Sequence, residues 1–164
     1  ITLTITARKR YGLPYGSYPR LLLAWITTEA VRTKNPELLL GRSLRSFMAK
    51  LGLEDSGGPR GNYGRLREHL GRLFTSTLSA TVEREGEEHG LQFQPVERYS
   101  VFWDPKRPGQ DSLWISHLRL SPLFFEEITR RPVPVDLGVL RELAKGRSPL
   151  AIDLYQWLAF RMSY

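Results

Sequence analysis

An α+β domain is predicted by three features of this 164-residue chain. Apolar residues recur at helical spacing in several capped segments. Short alternating segments punctuate them. A helix, a glycine-rich turn and a second helix stand together between Ser43 and Ser76. In that last stretch, Leu44, Phe47, Met48 and Leu51 share one face behind an N-cap at Ser43, and Gly52 ends the helix. The second helix is predicted over 64–76, with Leu66, Leu70, Leu73 and Phe74 as its buried stripe. Its outer face carries Arg65, Glu68, Arg72 and Thr75. This is the layout of a helix-turn-helix, in which one helix braces another that offers long donors to a groove. It is equally the layout of an αα-hairpin with solvated arginines.

The elements follow in order. Thr2 to Ala7 continue a strict alternation from Ile1, which predicts a half-exposed strand. Arg8-Lys9-Arg10 follows, either as a solvated loop or as an arm lying along phosphates. Ser17 is the expected N-cap of a helix over 19–34, whose apolar body Leu21 to Ile26 belongs in a core; Asn35-Pro36 stops it. Residues 37–41 read as a small strand. Residues 55–64 are glycine-rich without a Walker pattern, and include Arg60 and Asn62. They precede a helix N-terminus that suits an anion, or form a plain turn.

Beyond that stretch, residues 79–84 read as a strand, 85–90 as an acidic loop, 96–103 as a strand, 104–111 as a turn and 113–120 as a third strand. Two strands joined by a turn, directly after a candidate recognition helix, give the order of a winged helix. The turn's tip, Lys106-Arg107, is a candidate contact to a neighbouring groove, with Asp104 and Asp111 opposing it. Ser121-Pro122 opens a helix that Arg130-Arg131-Pro132 ends. Asp136 caps a short helix over 137–144, closed by Gly146. Ser148-Pro149 starts a final helix, with Leu150, Leu154, Trp157 and Leu158 expected toward the core. The predicted whole is one winged-helix α+β domain, with the helices at 19–34, 43–51 and 64–76 packed on a small antiparallel sheet.

The charge is lopsided. Residues 1–76 hold thirteen basic side chains and five acids, a net +8; residues 77–164 hold eleven and twelve, a net −1. A basic half favours a polyanion, because neutralising phosphates releases counterions. The chain has no cysteine, so disulfides and thiolate zinc sites are excluded, and a cytoplasmic setting is expected. No apolar run approaches the roughly 20 residues of a membrane helix. His69, His89 and His117 have no partner at ligand spacing, and no nucleophile elbow or dinucleotide fingerprint occurs. No catalytic residue, metal or cofactor is therefore expected, and the chain is not read as an enzyme.

Leu13 to Lys34, the segment Leu39-Leu40-Gly41-Arg42-Ser43-Leu44 through Leu51-Gly52-Leu53, and Ser148 to Ala159 together resemble plasmid-encoded RepA-type replication initiators. The match spans nearly the whole chain. The resemblance implies a protein that binds repeated sites in double-stranded DNA at a plasmid origin, recruits host replication proteins, and is able to repress its own promoter. It also implies two winged-helix domains, the first serving dimerisation and phosphate contacts and the second more of the base reading. The chain starts at Ile1, and its last helical pattern still runs at Tyr164. It is therefore expected to be the first domain, 1–164, of a longer protein with a second winged-helix domain after it. The expected DNA contacts are Arg8, Lys9, Arg10, Arg60, Asn62, Arg65, Arg67, Glu68, Arg72, Lys106 and Arg107. The alternative is a homodimerisation module with little DNA contact, pairing through the strand at residues 1–7.

Overall fold

The computed structural model describes residues 2–54, 56, 61–84, 87–104, 106–146 and 148–163, without the side chains of Leu3 and Arg84. Within them lie six helices and six strands. The order is β1 (Thr2–Thr6), α1 (Ser17–Thr33), β2 (Glu37–Gly41), α2 (Leu44–Leu51), α3 (Asn62–Phe74), β3 (Thr77–Arg84), β4 (Glu87–Phe93), β5 (Val96–Ser100), β6 (Ser116–Leu120), α4 (Pro122–Arg130), α5 (Leu137–Lys145) and α6 (Pro149–Ser163). All strand pairs are antiparallel. The expected single sheet is instead two three-stranded sheets, ordered β1-β3-β4 and β2-β6-β5.

The second of these sheets floors the core. β6 alternates, burying Ser116, Leu118 and Leu120, and β2 turns Leu38 and Leu40 to the same side. Period-two placement explains why His117 and Arg119 face out. Against this floor pack Leu21, Leu22, Trp25 and Ile26 of α1, Leu44, Phe47, Met48 and Leu51 of α2, and Leu66, Leu70, Leu73 and Phe74 of α3. Each such side chain contributes about 1.5–3 kcal/mol on burial. The caps expected at Ser43, Ser121 and Asp136 form, each accepting a backbone N–H of the first turn.

Four expectations are corrected. α1 begins at Ser17 rather than Pro19, and its cap is Gly16, with φ 77° and ψ −166°; only glycine settles readily in that region. Ser17 is thus the first helical residue, and its hydroxyl caps nothing. Residues 87–90, expected as loop, belong to β4, which pairs with β3 in a register running from Arg84↔Glu87 to Leu78↔Phe93. β4 is exposed along its length except at Phe93, so it never shows the one-sided alternation that sequence patterning detects. The strands expected at 96–103 and 113–120 shorten to Val96–Ser100 and Ser116–Leu120. Trp103 cannot continue a ribbon because its indole is buried. It donates Nε1–H to the Gly41 carbonyl at 3.1 Å and stacks on Phe47 at 5.1 Å.

The last correction concerns α6. Leu150, Leu154, Trp157 and Leu158 face solvent at 49–66 % exposure, and Ile152 is the residue that enters the core. α6 is apolar around most of its circumference, so periodicity alone does not choose its buried side. Two polar ties choose it. Arg20 of α1 forks onto Asp153 at 2.6 and 2.8 Å, and the Tyr155 hydroxyl accepts the Asp136 N–H at 2.8 Å.

Candidate nucleic-acid interface

α3 is positioned by its buried side: Tyr63, Leu66, His69, Leu70, Leu73 and Phe74. At 100° per residue, Gly64, Glu68 and Gly71 then run down the middle of the outward arc. Arg67 flanks that line on one side and Arg65 on the other. Both arginines are exposed and form no ion pair among the described residues.

Arg72 is different, although it sits two turns from Arg65. It donates to Glu68 at 2.5 and 3.1 Å and to the Leu13 carbonyl at 3.0 Å, and its guanidinium lies 4.8 Å from the Tyr15 ring centroid. Its side chain is 17 % exposed. The hydrogen bond from Arg72 holds the Glu68 carboxyl below the usual carboxylate range. Glu68 and Arg72 therefore clasp the segment before α1 onto α3. Asn62 is occupied in the same way. Its Oδ1 accepts the Tyr18 hydroxyl at 2.7 Å, and its Nδ2 donates to the Glu54 carbonyl at 3.0 Å.

The clasp brings the basic triplet to α3. Tyr11 lies so close to α3 that a Cβ on Gly71 would meet its ring at 2.7 Å. The turn holding it is closed by the Tyr11 and Gly12 N–H groups, both donating to the Arg8 carbonyl at 3.0 Å. Burial raises the Tyr99 hydroxyl of β5 above its usual range, with Tyr11 adding to the rise and Arg8 and Arg10 opposing it. Arg8, Lys9 and Arg10 are thus an exposed turn seated between β5 and the C-terminal half of α3. One sequence signal foretells this contact. A glycine at position 71, inside a helix, marks close approach by another chain segment.

Lys106 and Arg107 lie apart, in the segment joining β5 to β6. Asp104 Oδ1 accepts the Lys106 N–H at 2.9 Å, and Arg107 reaches Gln110 at 3.4 Å. Two backbone bonds of 2.9 Å, Arg45 N–H to Pro108 and Ser112 N–H to Arg42, fasten the segment to the start of α2. Arg60 lies outside the described residues.

His69 is 7 % exposed, and its Nδ1 is buried with no partner. Its ring stacks on Tyr18 at 5.2 Å and meets Tyr15 edge-on at 5.2 Å. Burial lowers its pKa from the ordinary 6.5; Glu68 opposes the shift, while Arg72 and Arg65 add to it. The folded state therefore holds the ring neutral, whereas the unfolded chain takes up a proton below about 6.5. More protons bound in the unfolded state means stability that rises with pH. The expected result is a melting temperature that declines below pH 6.5, with a second decline in the carboxylate range as Glu68 and Asp153, both with lowered pKa, lose their arginine partners. Melts of the wild type and His69→Gln across pH 4–8 check this; only the upper decline should vanish in the variant.

A mixed helix-and-sheet domain presenting unpaired cations around one helix is the class these features define. Its fold is shared by domains 2–3 of RctB, whose crystal structure superposes with a TM-score of 0.63 at 15 % identity, over 99 % of this chain and 64 % of that one. The selenomethionine derivative of the same domains gives 0.63 at 16 % identity, over 98 % and 66 %. The chain thus spans about two thirds of the length of those structures. No curated protein matches it. The family model for plasmid-encoded RepA protein matches residues 13–164, and the chain belongs to that family. No helix among the described residues is long and apolar enough to cross a membrane.

Proposed function

We propose that this chain is a DNA-binding domain of a plasmid replication initiator, of winged-helix type, acting at origin repeats from which host replication proteins are recruited. We assign it no catalysis. The carrying observation is the set Arg8, Lys9, Arg10, Arg65 and Arg67: five exposed cations, without ion pairs among the described residues, around the outward arc of α3. The topology supports the winged-helix reading. β2 lies between α1 and α2 in the chain yet pairs with β6, whose other neighbour is β5. That is a helix, strand, helix, helix, strand, strand order with residues 101–115 in the place of the wing. β3 and β4 form a hairpin inserted after α3, to which β1 adds.

Arg65 and Arg72 separate direct contact from support. Arg65→Ala should lower affinity for the cognate duplex by about 1–3 kcal/mol where it meets a base edge, and relax preference at one position. Arg72→Ala should also lower melting temperature, because it releases Glu68, Leu13 and the turn they hold. Binding assays on cognate and scrambled duplexes, run beside thermal melts, test both. Equal affinity of wild type and Arg65→Ala on every duplex would remove α3 as the contact.

A second reading, homodimerisation, rests on the outer sheet. β1 and β4 each pair on one side alone among the described strands, and Ile5 and Leu91 are about 40 % exposed. Such edges are templates for a second copy. Solution mass should show a dimer that Ile5→Lys with Leu91→Lys weakens; a monomer at high concentration contradicts this reading.

A further inference from the structure

A polar pocket of about 550 Å³ opens beside α3, walled by the start of α1, the Gly52–Glu54 segment, the end of α5 and Pro149 of α6. Ser17, His69, Arg65 and Lys145 line it. Three features give its chemistry. First, the Ser17 N–H and hydroxyl have no partner among the described residues, at the N-terminus of a 17-residue helix that no side chain caps. Such a terminus carries a partial positive charge. Second, His69 is almost wholly buried, and its Nδ1 is sealed without an acceptor. A proton there would be an orphaned donor, which folded proteins avoid more strictly than an orphaned lone pair. The neutral ring accordingly carries its proton on Nε2, the nitrogen left to donate into the pocket. Third, Arg65 reaches the pocket with no ion pair among the described residues, whereas Lys145 already holds Glu142 at 2.6 Å. Two carboxylates share the wall. Glu68 is neutralised by Arg72, and Glu54 has no cation among the described residues.

We propose that this pocket binds a phosphate group, held by the Ser17 N–H and hydroxyl, the His69 Nε2–H and Arg65. The phosphate comes either from a DNA backbone or from a small phosphomonoester. The assignment stands apart from the reading of α3 as a DNA face, because free phosphate tests it alone.

The experiment follows the histidine ring ¹⁵N signals of the whole chain during titration with inorganic phosphate, with chloride at matched ionic strength as control. A saturable shift at His69, absent with chloride, is expected. Arg65→Gln should weaken phosphate binding by about tenfold or more, as loss of a charge-assisted bond does. Ser17→Ala should weaken it less, Glu54→Gln should tighten it, and Arg67→Gln, away from the pocket, should leave it unchanged. A short duplex that displaces phosphate competitively identifies the backbone as the source. A duplex that binds without displacing it identifies a small phosphorylated ligand. Loss of duplex binding with phosphate binding intact rejects the DNA reading and leaves this site standing. No saturable His69 shift with phosphate or duplex, in a chain whose tryptophan signals show it folded, overturns the proposal. So does a shift that Arg65→Gln and Ser17→Ala leave unchanged.

Discussion

Replacing Arg8, Lys9, Arg10, Arg65 and Arg67 together by glutamine is expected to remove most of the chain's affinity for duplex DNA and to flatten its salt dependence. Each neutralised phosphate contributes about −0.9 to the slope of log affinity against log salt. Five contacts give a slope of roughly −4.5, so wild-type affinity should fall several hundred-fold, about 500, between 50 and 200 mM salt. The variant should bind weakly at both. Its melting temperature should hardly move, because exposed substitutions away from special features stay within about 0.5 kcal/mol. The cations concerned hold no ion pair among the described residues, so nothing in the fold is left unpaired by their loss. Fluorescence anisotropy over a salt series, with a melt on each protein, reads both quantities. A slope unchanged by the five substitutions would place the contact elsewhere.

Phe47→Ala is expected to have the largest effect on stability. Phe47 has no exposed surface and joins two tryptophans, meeting Trp25 edge-on and stacking on Trp103, both at 5.1 Å. Truncating a buried phenylalanine costs about 3–5 kcal/mol, part transfer and part cavity. For a chain of this size that lowers the melting temperature by roughly 10 °C. The change also frees Trp103, so the 101–115 segment should gain hydrogen exchange along with the core. Denaturant unfolding of wild type, Phe47→Leu and Phe47→Ala should give a graded series. A loss under about 1 kcal/mol for Phe47→Ala would mean that the tryptophans close the gap, against the packing described.

The helices were legible because their spacing, caps and stops are local. Ser43, Ser121 and Asp136 name three starts, and Gly52 and Gly146 name two ends. β4 was not legible, because a strand exposed on both faces carries Glu87-Glu88-His89-Gly90, which reads as loop. α6 was legible as a helix but not in its rotation, since Arg20–Asp153 is a contact between residues far apart in the chain. The same limit governs the candidate interface. Arg65 and Arg72 look equivalent at a spacing of seven. Only the fold brings Leu13 and Tyr15 onto one of them and leaves the other free. Asn62 looks like a polar residue in a glycine-rich turn, and the fold spends its amide on Tyr18 and Glu54. The basic triplet was visible at once, and its place beside α3 was hinted only by Gly71.

The most direct test of α3 and the Arg8–Arg10 turn as one DNA face is amide hydrogen exchange of the chain with and without an origin duplex at low salt. Protection is expected over residues 8–12 and the exposed part of α3 at 64–68, with β4 and the outer side of α6 unchanged. Protection confined to β4 or α6, or none at duplex concentrations that saturate binding, would contradict it.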